Sequence, residues 1–132
     1  MVEYFALSTN KLTGVIPSGL GSTFTRAKYF DLRYNFLNGS LPLSLAKMTR
    51  LNHLVLADNK FTDVSNNLAT ILIAMPLLNY LDVRSNRFHD SLKAVAPLCE
   101  LTNLSFCGLA NAKYRTNTFL DVPVCLKSKC LL

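Results

Sequence analysis

The residues able to do chemistry are few, and their order narrows what that chemistry can be. The two histidines are His53 and His89. Neither falls into a Ser–His–acid or Cys–His order that repeats a known catalytic arrangement, and no glycine-rich phosphate loop occurs. The expectation is therefore no enzyme and no cofactor. Cys99, Cys107, Cys125 and Cys130 all lie in the last third of the chain. An even, localised count argues for two disulfides formed in an oxidising compartment, with three connectivities open. Burial of Cys107 as a core thiol is the alternative. A four-cysteine zinc site needs short paired spacings. Only Cys125 and Cys130 meet them, so no metal is expected. Asn38-Gly39-Ser40 and Asn103-Leu104-Ser105 are glycosylation sequons, making Asn38 and Asn103 candidates, but chance alone supplies about two in a chain this rich in Asn, Ser and Thr.

A second kind of chemistry, recognition rather than catalysis, is suggested by side chains that recur at long intervals. Tyr4, Tyr29, His53, Tyr80 and Phe106 follow one another at spacings of 25, 24, 27 and 26. Asn10, Asn35, Asn59 and Asn86 recur at 25, 24 and 27. Each of these asparagines has apolar residues five and three positions before it and another two positions after it. Asp31 with Arg33, and Asp82 with Arg84, occupy equivalent places in two of the copies. Such periods mark a stack of small units, none of which buries its core alone.

The chain has 132 residues, 50% hydrophobic and 17% charged. That is enough for one domain's core and too apolar for a disordered chain. The longest nearly apolar stretch, Leu68 to Leu78, holds Thr70 and Pro76 and falls short of the roughly 20 residues of a membrane span. The opening Met1-Val2-Glu3-Tyr4 lacks the basic and apolar regions of a secretory signal.

The aligned stretches Phe5–Leu12, Phe30–Leu37, Leu54–Phe61 and Leu81–Phe88 resemble the leucine-rich repeat, L-x-x-L-x-L-x-x-N-x-L. Two copies continue as Leu12-Thr13-Gly14-Val15-Ile16-Pro17 and Leu37-Asn38-Gly39-Ser40-Leu41-Pro42, a tail similar to the plant-type subclass of receptor ectodomains, inhibitors and protozoan surface antigens. A fifth, degraded copy reads Leu104, Cys107, Leu109, Ala112, Tyr114, with Ala112 in the asparagine position. The resemblance implies an α/β solenoid: a right-handed superhelix of about five repeats, with a parallel concave sheet and an irregular or short-helical convex side. It implies a single domain over 1–132, with repeats near 2–26, 27–50, 51–77, 78–103 and 104–118. It also implies a Cys-containing C-terminal cap over about 99–132. Asn117-Thr118-Phe119 offers an alternative register for the last repeat. In such proteins the ladder of Asn10, Asn35, Asn59 and Asn86 bonds backbone groups where the chain leaves the strand. Gly14 and Gly39 permit backbone angles that other residues resist, and Pro17 and Pro42 suit an extended segment.

Copies three and four lack the Gly-x-Ile-Pro tail. Leu68, Ile71, Leu72 and Met75 lie on one helical face, with Ser65 or Asn66 as cap and Pro76 as stop. Leu92, Val95 and Ala96, between Asp90 or Ser91 and Pro97, predict a second short helix.

Residues alternating with the inward leucines project onto the concave face, where this family usually binds proteins. The expected partner surface is Tyr4, Tyr29, Asp31, Arg33, His53, Tyr80, Asp82, Arg84 and Phe106. Direct ligand contact and ring-on-ring stacking of the sheet are both open roles for the aromatic column, in which His53 substitutes for an aromatic ring. The Asp–Arg pairs read as solvated ion pairs of small worth. The net charge is +6, yet the concave positions hold Lys28, Arg33 and Arg84 against Glu3, Asp31, Asp58 and Asp82. Rings and excess cations occupy different faces, so no nucleic-acid partner is expected. The sequence thus predicts a non-catalytic module for a protein or peptide ligand, within a secreted or cell-surface protein. The alternatives are a scaffold subunit in a cytoplasmic assembly and an inhibitor of a secreted hydrolase. An open strand edge at Glu3–Leu7 predicts self-association or an N-terminal neighbour.

Overall fold

A computed structural model describes residues 1–62, 67–88, 99–109 and 130–131. The predicted helix over Leu92–Ala96 lies outside them, as do His89, Cys125 and the alternative register at Asn117. Each repeat contributes one short strand to a parallel sheet: β1 (Tyr4–Ala6), β3 (Tyr29–Asp31), β5 (His53–Val55), β7 (Tyr80–Asp82) and β8 (Phe106–Gly108). A sixth strand, β9 (Cys130–Leu131), completes the order β1-β3-β5-β7-β8-β9. The registers carry the sequence period directly, Tyr4 opposite Tyr29, Tyr29 opposite His53, His53 opposite Tyr80 and Tyr80 opposite Phe106.

Because side chains alternate across a strand, Phe30, Leu54, Leu81 and Cys107 form one inward layer, each fully or almost fully buried. Leu32, Leu56, Val83 and Leu109 form the next. The convex side is closed by α1 (Leu20–Thr23), a 3-10 helix η1 (Leu43–Lys47) and α2 (Asn67–Ile73). The predicted apolar stripe is core: Leu68, Ile71, Leu72 and Met75 are all buried, each worth roughly 1.5–3 kcal/mol of burial. The helical turns in the first two repeats, read from sequence as extended, follow prolines. Pro42 is extended (φ −70°, ψ 136°) and caps η1.

A second, three-stranded sheet runs along the rim: β2 (Thr13–Gly14), β4 (Phe36–Ser40) and β6 (Lys60–Thr62). Gly14 and Gly39 hold φ at 81° and 75° within it, the left-handed region that glycine enters without penalty.

The asparagines tie each repeat to the one before. Asn35 Nδ2 donates to the carbonyls of Leu7 at 2.9 Å and Leu32 at 3.0 Å, and its Oδ1 accepts the Leu12 N–H at 3.1 Å. Asn59 and Asn86 repeat the pattern. The residue before each ladder asparagine, namely Thr9, Tyr34, Asp58 and Ser85, has φ between 54° and 57°. Each such non-glycine residue costs about 1–3 kcal/mol, offset by the bonds that the asparagine behind it makes.

The two ends differ. Cys107 and Cys130, opposite one another in register, are joined by a disulfide. Cys99 is disulfide-bonded as well. At the other end β1 is an edge strand, and Asn10 donates only within its own repeat, to Leu7 and Ser8 carbonyls. An apolar cleft of about 210 Å³ opens there between Phe5, Leu7, Leu12 and Ile16, floored by Leu32 and Leu37.

Candidate functional site: the concave face

The five aromatic positions form one continuous stack. Ring centroids are 5.5 Å apart for Tyr4–Tyr29, Tyr29–His53 and His53–Tyr80, and 4.3 Å apart for Tyr80–Phe106. Parallel strands at about 4.8 Å impose that spacing. His53 stacks on Tyr80 at an interplanar angle of 20° and is tilted by 38° against Tyr29, so the polar groups these inner rings have for a ligand are the His53 nitrogens and the Tyr80 hydroxyl.

The next outward column differs from expectation. Asp31 and Asp82 are 1% and 3% exposed, so the acidic half of each pair is buried. The register explains this: Ala6 and Val55 flank Asp31, and Val55 and Gly108 flank Asp82, closing over carboxylates whose arginines lie on top. Asp31 accepts the Arg33 N–H at 3.0 Å and the Tyr29 hydroxyl at 3.1 Å, with the Arg33 Nε at 3.2 Å. Asp82 accepts the Arg84 N–H at 3.2 Å, its Nε at 2.9 Å and its Nη2 at 2.7 Å. The arginine side chains remain 43% and 38% exposed. The hydrogen bond to Asp82 raises the Arg84 pKa above its ordinary value. A Cβ on Gly108 would stand 2.7 Å from Asp82 Oδ1 and 2.9 Å from Arg84 Nε. Glycine there leaves room for the guanidinium, which also lies 5.5 Å from the Phe106 ring centroid.

Desolvation, and then the hydrogen bond to Asp31, raise the Tyr29 pKa above its ordinary value of 10.0. A folded pKa above the unfolded one gives stability that is complete below about pH 10 and is lost as Tyr29 ionises. In an alkaline absorbance titration, the tyrosinate signal missing from Tyr29→Phe is expected above the ordinary tyrosine range. Asp31→Asn is expected to lower it.

The result is a face with a repeated design. Tyr29-x-Asp31-x-Arg33 and Tyr80-x-Asp82-x-Arg84 are strips about 10 Å apart, on either side of the smaller His53-x-Val55-x-Ala57. Beside the stack lies an open cleft of about 460 Å³, lined by Tyr4, Lys28, Tyr29, Asn52, His53 and Asn79. Lys28 pairs with Glu3 at 2.9 Å. Asn52 donates to the Leu77 carbonyl at 3.1 Å and Asn79 to the Asn103 carbonyl at 2.9 Å. Asn52 and Asn79 were missed by sequence reasoning. Their signal was a polar residue just before the ring in every copy: Glu3, Lys28, Asn52, Asn79, Ser105.

Of the sequons, Asn38 is exposed on β4. Asn103 is also exposed, but its amide donates to the Pro76 carbonyl at 3.3 Å, and Ser105 Oγ bonds Asn79. Among the described residues no three His, Cys, Asp or Glu side chains gather as metal ligands, and no helix is long and apolar enough to cross a membrane.

Known proteins share this architecture. The family description Leucine Rich Repeat matches residues 26–48. Comparison with curated proteins gives no match. Among solved structures, the BIR2 ectodomain from Arabidopsis thaliana is 33% identical, with a TM-score of 0.53 over 61% of this chain and 41% of that one. Internalin inlF from Listeria monocytogenes is 30% identical, TM-score 0.59, over 81% and 28%. The plant peptide hormone receptor RGFR1, in complex with RGF2, is 27% identical, TM-score 0.62, over 80% and 16%. The chain thus spans less than half the length of these structures. Repeat, registers and neighbours agree: this is a leucine-rich-repeat protein, an α/β solenoid with repeats of the plant type.

Proposed function

We propose that the chain is a non-catalytic recognition module that binds an extended protein or peptide segment across its concave face, in a secreted or cell-surface setting. The observation that carries this is the pair of Tyr-x-Asp-x-Arg strips. Each holds a buried carboxylate that fixes an arginine, and between them runs a lower track over His53, Val55 and Ala57. Side chains locked by such bonds present their outer edges without ordering cost, and Tyr and Arg are enriched among residues that dominate binding. The ectodomain of BIR2 and the hormone receptor RGFR1 support an extracellular recognition role, and the Cys107–Cys130 disulfide suits an oxidising compartment.

The test is a displayed peptide library selected against the folded chain. His53→Phe and Tyr80→Phe keep the rings stacked and remove only their polar edges. Each is expected to weaken a selected peptide about tenfold while the thermal melt stays unchanged. Selected peptides indifferent to both substitutions would assign the stack to stability instead.

A further inference from the structure

Three of the cations outside the concave face, Lys11, Lys60 and Arg87, fall into line. The residue after each ladder asparagine is Lys11, Phe36, Lys60 and Arg87, and all four are exposed. Phe36 stands opposite Thr13, two residues beyond Lys11, and Lys60 opposite Asn38, two beyond Phe36. The Arg87 N–H donates to the Phe61 carbonyl at 2.8 Å, just as the Phe36 N–H does to the Leu12 carbonyl, so Arg87 continues the same step. The four therefore form one slanted row along the rim sheet. Diagonal neighbours in a sheet lie about 7–8 Å apart. Lys60 Nζ sits 5.4 Å from the Phe36 ring centroid, so the side chains do meet along this diagonal. Lys11, Lys60 and Arg87 make no ion pair among the described residues. Among the described residues the acid flanking the row is Asp58, which is half-buried and acts on Arg84. Phe36 is 49% exposed.

We infer that this rim is a second docking surface, for an acidic peptide segment lying extended along the row. One face of an extended chain repeats every two residues, about 6.6–6.8 Å, close to the step of the row. The pattern that fits is acid, apolar, acid, acid at alternate positions, meeting Lys11, Phe36, Lys60 and Arg87 in turn. An aromatic between cations favours a peptide over a nucleic acid, which needs successive stacking platforms, and over a sulfated polysaccharide, which has no apolar side chain to place there.

The probe is a fluorescein-labelled peptide Glu-Ser-Leu-Ser-Glu-Ser-Glu, measured by anisotropy at low ionic strength, where surface charge is least screened. Binding to the folded chain is expected to fall at least tenfold with Lys60→Glu or Arg87→Glu. It should fall several-fold with Phe36→Ser, and likewise for the isomer Glu-Ser-Ser-Leu-Glu-Ser-Glu, whose leucine points the other way. Tyr80→Phe is expected to leave it unchanged, separating this rim from the concave face. No binding, equal binding of the two isomers, indifference to charge reversal, or tighter binding of a heparin oligosaccharide or single-stranded RNA to the same row would overturn the inference.

Discussion

Asn59→Ala is expected to destabilise the fold by about 4 kcal/mol. Its amide donates to the Leu32 carbonyl at 2.8 Å and the Leu56 and Ala57 carbonyls at 3.3 Å, and its Oδ1 accepts the Leu37 N–H at 3.0 Å. Alanine strands the Leu37 donor and the Leu32 acceptor in the interior, at about 1–3 kcal/mol each. It also removes the bonds that offset the left-handed backbone of Asp58 (φ 55°). In a stack stabilised by neighbour contacts, the break falls between repeats two and three and should also broaden the transition. Asn10→Ala is the internal control. Its amide is exposed and serves its own repeat alone, so a loss below about 1 kcal/mol is expected. Urea unfolding of the two variants measures the difference, and equal losses would refute the cross-repeat role of the ladder.

Gly21→Ala is the second large effect, expected near 3 kcal/mol, at the upper end of overpacking. A Cβ on Gly21 would run into the Ser44 carbonyl and stand 2.6 Å from the Leu45 nitrogen. The obstacle is backbone, so it cannot rotate away. Relieving it separates α1 from η1, lengthens the bond from the Gly21 N–H to Ser44 Oγ (3.2 Å) and unseats the fully buried Leu45. Gly19, two residues earlier, has open space where its Cβ would be. Gly19→Ala is expected to be neutral or to stabilise by about 0.5 kcal/mol through the unfolded chain. Calorimetric melting of the pair decides it: a Gly21→Ala midpoint equal to that of Gly19→Ala would mean the helical turns do not pack this closely.

The features legible in the sequence are those a single period fixes. The asparagine ladder and the aromatic column each follow from a side-chain class recurring at the repeat period, and the Leu68–Met75 stripe from helical spacing; the registers align the rings and the stripe is buried. What was not legible depends on neighbours from other repeats. The carboxylates of Asp31 and Asp82 look like surface groups along the chain, and become buried only because Ala6, Val55 and Gly108 arrive beside them. The rim sheet is two to five residues per strand, with Gly and Asn inside it, a composition that reads as turn. Tyr34 and Ser85 carry no sequence mark of a left-handed backbone. The strand at Cys130 is set by its place beside Cys107, which four cysteines with three connectivities do not specify.

Recognition by the concave face is tested by mapping hydrogen–deuterium exchange with a library-selected peptide bound. Added protection is expected over residues 29–33, 53–57 and 80–84, together with quenching of the tyrosine stack. Protection confined to the convex turns, Leu43–Lys47 and Asn67–Ile73, with the concave strands unchanged, would contradict it.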